Sequence, residues 1–190
     1  MLGTATATHI YWITSRAAGI AALMLASASV GVGVTMSARF VRGRTPDLRV
    51  THEALALATM AALAVHGLSL LGDGFIGMNL AGVTVPFASS YRTLWTTMGI
   101  VGAWLLVLLG LSYYARARIG LARWKRLHRW TLLAWVLGIG HALGEGTDAG
   151  VPWFLVSVGA VVVPALGLVL ARLATSRTVS AASQPPLTRA

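Results

Sequence analysis

Four histidines lie inside long apolar stretches of this chain, where a polar side chain is costly. The spacing along the sequence is 14 between His52 and His66, and 13 between His128 and His141. Ionisable residues within membrane-spanning segments are typical of functional sites. The chain has no cysteine, which excludes disulfides, thiolate metal sites, iron–sulfur clusters and cysteine nucleophiles. Any metal or redox chemistry therefore depends on histidine or on a bound cofactor.

The elements that carry these histidines are predicted to be transmembrane helices. The 190 residues are 56% hydrophobic and 11% charged, with a mean hydropathy of +0.74, which is too apolar for a water-soluble domain. A helix needs about 20 apolar residues to cross a bilayer. Runs of that kind cover residues 10–36, 50–71, 94–114, 125–143 and 152–172.

These runs predict an all-α membrane protein, a bundle of five transmembrane helices within residues 1–174. Residues 175–190 are rich in Ser, Thr, Ala and Pro, and we expect them to form a disordered tail on the cytoplasmic side. The first run has no basic segment before it, so we expect a true span and not a cleaved signal peptide.

The positive charges orient this bundle. Thirteen of the 15 Lys and Arg residues fall on one side of the predicted spans: Arg39, Arg42, Arg44, Arg49, Arg116, Arg118, Arg123, Lys125, Arg126, Arg129, Arg172, Arg177 and Arg189. By the positive-inside rule this side is cytoplasmic, so we expect the N-terminus outside and the C-terminus inside. The net charge of +10 then reflects topology and contact with anionic membrane lipid, not nucleic-acid binding. We expect a multi-pass protein of the cell (plasma) membrane, of bacterial origin.

This topology places the histidines at two levels. The second and fourth spans both run from inside to outside, so His52 should lie level with His128 near the cytoplasmic face, and His66 with His141 near the outer face. At about 1.5 Å rise per residue, the levels are about 20 Å apart. Two imidazoles with no carboxylate or thiol nearby suit the axial positions of a haem iron, whereas zinc takes more protein ligands. The pattern predicts two haem b groups, one at each level.

The spacing of the second pair does not fit a regular helix. A spacing of 14 returns close to the same helix face, but a spacing of 13, at about 100° per residue, leaves the second histidine about 140° away. We expect the fourth span to compensate, with Gly138 and Gly140, just before His141, as candidates for a bulge, a kink or a close approach of the haem. The alternative is that the four histidines are unrelated polar residues, bonded to the backbone or to each other.

Cations near each level are candidates for binding haem propionates. On the outer side these are Arg16 and Arg92, each of which either binds a propionate or extends to the lipid interface. On the inner side Arg44, Arg126 and Arg129 qualify equally.

Two further features lie on the outer side. His9 precedes the first apolar run and is assigned no role. The outer loop from Gly72 to Arg92 either covers the outer haem, presents it to a partner, or is a plain connector.

The sequence resembles the ferric reductase-like transmembrane domain family, which includes ferric reductases, NADPH oxidases and the membrane subunit of the bacterial methionine sulfoxide reductase system. The histidine spacings of 14 and 13 carry this resemblance, over about residues 9 to 172. Similar segments are Trp12–Gly19 (WITSRAAG), Val85–Trp95 (VPFASSYRTLW), Trp124–His128 (WKRLH) and His141–Asp148 (HALGEGTD). The resemblance implies that His52 and His128 bind the inner haem, and His66 and His141 the outer haem.

Larger members of that family have six spans and a cytoplasmic domain that binds FAD and NADPH, neither of which is expected here. We therefore expect a dihaem cytochrome, the membrane haem component of an oxidoreductase. It would take electrons from a separate flavoprotein or a quinol and pass them to an outer ferric chelate, oxygen or flavoprotein. Any flavin or quinone would bind at a partner or surface site. The alternatives are a non-catalytic haem-bearing anchor subunit of a respiratory complex, and a haem-free scaffold or transporter.

Overall fold

The computed structural model describes residues 2–38, 45–74, 76–146 and 148–182, without the side chains of residues 2–8, 45 and 176–182. These residues form helices and connecting turns, and no strand occurs among them, so the predicted all-α class is confirmed. The helices are α1 (Leu2–Ala38), α2 (Thr45–Gly72), α3 (Leu80–Thr84), α4 (Thr93–Leu111), α5 (Arg116–Ile119), α6 (Leu121–His128), α7 (Thr131–Glu145) and α8 (Pro152–Ala182).

Four helices of the described chain are long and apolar enough to cross a membrane. The qualifying segments are His9–Ala38 in α1, Pro46–Gly72 in α2, Thr93–Leu111 in α4 and Pro152–Thr175 in α8. Helix α8 begins at the expected Pro152 and continues through Pro164 to Ala182, past residue 174 where the tail was expected. Residues 183–190 lie outside the described residues.

The fourth expected span is divided into two helices. Residues 125–143 were predicted to form one helix, but α6 ends at His128 and α7, only 15 residues long, begins at Thr131. Between them, the N–H of Trp130 bonds to the carbonyl of Leu127 (2.9 Å), and the N–H of Leu133 bonds to the carbonyl of Trp130 (3.0 Å). These three-residue hydrogen bonds form a tighter turn than an α-helix.

This turn is the deformation that the spacing between His128 and His141 requires. It changes the rotation of the chain between these two residues, so their side chains no longer follow the phase of one continuous helix. The interruption does not lie at Gly138 and Gly140, where a bulge or kink was considered, because α7 is helical through both residues.

The helices pack in two antiparallel pairs, α1 with α2 and α4 with α7, and α8 packs against α1. A buried cluster joins these pairs through α1, α7 and α8; its members are Leu23, Ala26, Trp135, Phe154, Val158 and Ala165. Burial of such large apolar side chains fixes α7 against α1. Helix α2, which carries His52 and His66, therefore packs on α1. Helix α7, which carries His141, packs on α4.

The segment between α2 and α4 packs along α4 between Thr97 and Trp104. Its short helix α3 is capped by Asn79, whose side-chain oxygen accepts a hydrogen bond from the N–H of Gly82 (2.8 Å). The indole N–H of Trp104 donates to the carbonyl of Thr84 (2.8 Å), and the N–H of Phe87 donates to the hydroxyl of Thr97 (3.0 Å). Two hydrogen bonds therefore hold the segment against α4.

Candidate functional site

The structure brings the four histidines together in the two predicted pairs. The ring centres of His52 and His128 are 6.1 Å apart, with an angle of 84° between the ring planes. Those of His66 and His141 are 6.2 Å apart, with an angle of 74°. Since His52 and His66 lie in α2, and their partners at the end of α6 and in α7, these segments run parallel. The two levels deduced from the charge distribution are thus present as two facing imidazole pairs.

The distance between the paired rings is close to that of two axial ligands on one metal ion. A metal–imidazole bond is about 2.0 Å long, and a nitrogen lies about 1.15 Å from the centre of a five-membered ring with ordinary bond lengths. Two ligands on opposite sides of one ion therefore have ring centres about 6.3 Å apart. The observed 6.1 and 6.2 Å fit this arrangement.

Each level offers two nitrogen ligands and not a complete protein coordination sphere. Among the described residues, no group of three or more His, Asp and Glu side chains is placed to hold a metal ion. A structural zinc site would need such a group, whereas a porphyrin itself supplies the four equatorial ligands of its iron. The donor set therefore fits a haem better than a metal ion bound by protein alone.

Hydrogen bonds to backbone carbonyls fix the tautomer of three of these histidines. The Nδ1–H of His66 donates to the carbonyl of Ser15 (2.8 Å), and that of His52 donates to the carbonyl of Ser29 (3.0 Å). The Nδ1–H of His141 donates to the carbonyl of Trp95 (2.9 Å). Because a carbonyl only accepts, Nδ1 carries the proton and Nε2 keeps a free lone pair. This is the usual arrangement of a metal-ligating histidine.

The fourth histidine, His128, has a different environment. Its Nδ1 is buried without a hydrogen bond of acceptable geometry, although the backbone of Leu109 lies within reach of the ring. The indole of Trp124, one helical turn earlier, stacks on this imidazole with ring centres 5.0 Å apart and planes at 25°. Trp124 therefore contacts the site directly.

Glycines lie directly behind three of the four rings. A Cβ atom at Gly19 would lie 3.1 Å from Nδ1 of His66, one at Gly33 would lie 3.1 Å from Cε1 of His52, and one at Gly99 would lie 2.6 Å from Nδ1 of His141. Any larger residue would push these rings away from the helix behind them. Sequence reasoning missed these glycines and the serines that precede two of them.

A repeat in the sequence could have revealed them. Ser15 and Gly19 contact His66, and Ser29 and Gly33 contact His52, so two of the three Ser-x-x-x-Gly patterns in α1 lie 14 residues apart. This interval equals the spacing of His52 and His66 on the antiparallel helix α2. Matching intervals on two neighbouring helices are the signal.

Two carboxylates near the histidines in sequence are engaged elsewhere. Glu53 follows His52, but it accepts a hydrogen bond from the hydroxyl of Tyr114 (2.7 Å), which raises the pKa of that phenol. Glu145 accepts a hydrogen bond from the hydroxyl of Thr96 (3.1 Å).

Arg16 and Arg92 contact the loop after α7 and the last turn of α7, respectively, near the pair His66 and His141. Arg16 forms an ion pair with Asp148, and its guanidinium lies 4.1 Å from the centre of the Trp12 ring. Arg92 donates a hydrogen bond to the carbonyl of Gly144 (2.6 Å). Arg16 follows Ser15, which holds His66, so it lies beside the outer level. Of the inner candidates, Arg126 and Arg129 are exposed, and Arg44 lies outside the described residues.

The imidazoles meet across a gap between the two helix pairs. Within the described helices, α2 makes few backbone contacts with α4 and fewer still with α7, because each histidine-bearing helix is backed by its own partner, α1 or α4. Helices packed directly on each other have axes about 8–10 Å apart and many such contacts. The histidine side chains therefore reach towards each other from separated helices.

Comparison with protein-family models, with curated proteins and with solved structures found no match to this chain.

Proposed function

We propose that this protein is a dihaem b-type membrane cytochrome that passes electrons from one side of the bilayer to the other. One observation carries the proposal. Two facing imidazole pairs, 6.1 and 6.2 Å apart, lie on two parallel helical segments at two levels of an apolar bundle. Polar unpaired nitrogens are expensive inside a membrane, and two matched pairs with the separation of axial ligands point to two bound metallocofactors.

The chain's own groups have defined roles in this proposal. His52 and His128 are the ligands at the inner level, and His66 and His141 are those at the outer level. The carbonyls of Ser15, Ser29 and Trp95 hold three of the rings by Nδ1–H, which keeps Nε2 as the ligating atom. When bound, haem supplies one-electron redox chemistry, and the protein supplies ligands, burial and neighbouring charge.

The proposal includes a fifth membrane crossing made of α6, the turn at Arg129 and Trp130, and α7. Together, residues 121–145 form a column about 37 Å long at about 1.5 Å per residue, which is enough to cross the bilayer core. Pairing of His128 and His141 with two residues of the spanning helix α2 supports this crossing. With the N-terminus outside, α5 and the basic side chains at the start of α6 then lie at the cytoplasmic surface, where the crossing begins.

Arg16 and Arg92 are proposed to stabilise the propionates of the outer haem. Both lie beside the outer level, and their present partners are the carbonyl of Gly144, in the last turn of α7, and Asp148, in the loop that follows α7. Arg126 and Arg129 are exposed at the opposite side and would serve the inner haem. Charge-assisted hydrogen bonds from guanidinium to carboxylate are strong and directional.

The donor is proposed to be a separate flavoprotein or a membrane quinol on the cytoplasmic side. The acceptor is proposed to be a ferric chelate, oxygen or a flavoprotein on the outer side, which is the side of the segment from Gly72 to Arg92. The family resemblance in the histidine spacings supports this direction of transfer.

The test is a reduced-minus-oxidised visible spectrum of the purified protein together with its haem content. Two b haems per chain are expected in the wild type, and one in each of the variants His52→Ala and His66→Ala. The control His9→Ala changes an exposed histidine at the end of α1 and should retain two. A colourless wild-type protein, isolated from cells supplied with haem, would contradict the proposal and favour a scaffold or transporter.

A further inference from the structure

Three of the four imidazoles are held by the same two-residue arrangement on the helix behind them. The acceptor carbonyl belongs to residue i, and a glycine occupies position i+4: Ser15 with Gly19, Ser29 with Gly33, and Trp95 with Gly99. The first two lie in α1 and the third in α4. The arrangement therefore recurs on two different helices and serves both levels.

Helix geometry explains why the glycine is needed. In an α-helix the carbonyl of residue i accepts a hydrogen bond from the N–H of residue i+4 and keeps a second lone pair. The side chain of residue i+4 lies on the same face, one turn along, and would obstruct an outside donor. A glycine there leaves the carbonyl open and lets the imidazole ring lie against the helix.

The exception, His128, agrees with this explanation. The corresponding backbone group is that of Leu109, and position i+4 from it holds Tyr113 and not a glycine. The Leu109 carbonyl also accepts a short hydrogen bond from the hydroxyl of Ser112 (2.6 Å). This imidazole lacks a well-formed Nδ1 hydrogen bond and is instead stacked on Trp124.

The two serines add a second oxygen to their histidines. The hydroxyl of Ser15 lies 3.1 Å from Nδ1 of His66 and donates to the backbone carbonyl of His66 (3.3 Å). The hydroxyl of Ser29 lies 3.1 Å from Nδ1 of His52. Both serines are buried, at 3% and 7% exposure, in an otherwise apolar helix.

We infer that each carbonyl–glycine pair is a positioning unit that fixes the orientation and the Nδ1–H tautomer of one histidine, and that it thereby tunes one haem independently of the other. The consequence for haem rests on the proposed function. A hydrogen bond from Nδ1–H makes an imidazole a stronger electron donor to its metal. Loss of that bond should favour the reduced iron and raise the midpoint potential at that level.

The experiment compares Gly33→Ala and Gly19→Ala with Gly31→Ala in the full-length protein containing haem. Gly31 lies in the same helix, and a Cβ there would meet only Leu168 at the ordinary distance of 3.8 Å. Potentiometric titration and EPR of the ferric protein are the readouts, and the two signals are assigned with His52→Ala and His66→Ala. The EPR signal of a low-spin ferric haem is sensitive to the angle between its ligand planes, here 84° and 74°.

Gly33→Ala should raise the midpoint potential of the inner haem and change its EPR signal, without an effect on the outer haem. Gly19→Ala should have the same two effects on the outer haem alone. Gly31→Ala should change neither haem. If Gly33→Ala behaves like Gly31→Ala, the inference is wrong. If Gly33→Ala does not fold, Gly19→Ala tests the same unit at the other level, where a Cβ would lie 3.1 Å from Nδ1 of His66. An outer potential and EPR signal equal to those of Gly31→Ala then overturn the inference.

The orientation and tautomer of each histidine can also be tested in protein that contains no haem. Nitrogen-15 NMR of histidine-labelled apoprotein reports the tautomer of each ring directly. His52, His66 and His141 should be in the Nδ1–H form, and Gly33→Ala should alter the signal of His52 alone. A wild-type protein that binds no haem but shows these tautomers would contradict the proposed function and leave the positioning unit supported. Mixed tautomers in the wild type would overturn the positioning unit.

Discussion

The indole N–H of Trp135 in α7 donates a 2.9 Å hydrogen bond to the hydroxyl of Ser27 in α1, and both residues are almost completely buried. Ser27 in turn donates to the carbonyl of Leu23 (2.7 Å), so its hydroxyl is fully used. This contact joins the pair α1–α2 to the pair α4–α7. It therefore helps to set the separation at which the histidines face each other.

Ser27→Ala should destabilise the protein by about 1–3 kcal/mol, since it leaves the buried indole N–H without a partner. Thermal unfolding in detergent should show a lower midpoint. Ser37→Ala is the control, because the hydroxyl of Ser37 donates to the carbonyl of Val34 in its own helix and, among the described residues, bonds to no other helix. Equal midpoints for the two variants would mean that the contact between the helix pairs contributes nothing.

Gly99→Ala should reduce the outer haem content and leave the inner haem in place. The new Cβ would lie 2.6 Å from Nδ1 of His141, too close for the ring to keep its position. The haem content should fall from two towards one per chain, as expected for His66→Ala, and the same visible spectrum and haem assay measure it. Gly138→Ala is the control, because a Cβ at that residue of α7 has no neighbour within 4 Å. Loss of the inner haem in Gly99→Ala would show that the levels are assigned wrongly.

The pairing of the histidines was predictable because two independent regularities agreed. The positions of the arginines determine which spans run in the same direction, and the near-equal spacings within α2 and within the fourth span then place His52 opposite His128 and His66 opposite His141. Both are properties of the sequence that tertiary packing does not alter. The ring contacts in the structure confirm that these pairs meet.

A compensation in the fourth span was predicted, but it does not lie at Gly138 and Gly140, where a bulge or kink was considered. Glycine is a usual indicator of a kink, whereas the actual turn contains Arg129 and Trp130, which carry no such indication. Gly140 instead lies against another helix: a Cβ there would contact Met98 of α4. Glycine in a membrane helix more often permits close packing than bending.

The carbonyls and glycines behind the rings were visible in the sequence but ambiguous. Gly and Ser are common in membrane helices, where they usually serve helix packing. Only the coincidence of their interval with that of the histidines separates Ser15, Gly19, Ser29 and Gly33 from ordinary packing residues. Which carbonyl an imidazole bonds to depends on the rotation of α1 against α2, which the sequence does not state.

Trp124→Leu should weaken the inner haem site specifically. The stacked indole restrains the ring of His128, which lacks the hydrogen bond that restrains the other three. An aromatic pair contributes about 0.5–1.5 kcal/mol beyond its buried area, so haem affinity at the inner level should fall roughly 2- to 10-fold. Haem titration of the apoprotein measures this.

Trp153→Leu is the control for that change. Trp153 is 51% exposed at the start of α8, and its recorded ring contact is with Phe154 and not with a histidine. Its haem affinity should equal that of the wild type. If Trp124→Leu lowers the haem affinity of the outer site, or if both variants lose the same affinity, the stacking on His128 does not stabilise the inner haem site.

Single cysteines should report the orientation of the chain without interference, since the natural sequence contains none. Ser90→Cys lies in the segment between α2 and α4, and Arg118→Cys lies in α5; both positions are exposed. If the basic side is cytoplasmic, a membrane-impermeant maleimide should label Ser90→Cys in intact cells stripped of any outer envelope. It should label Arg118→Cys only after the membrane is opened. The reverse pattern would invert the proposed direction of electron transfer, because the pair His52 and His128 would then lie near the outer face. Labelling of both positions in intact cells would mean that the chain does not cross the membrane between them.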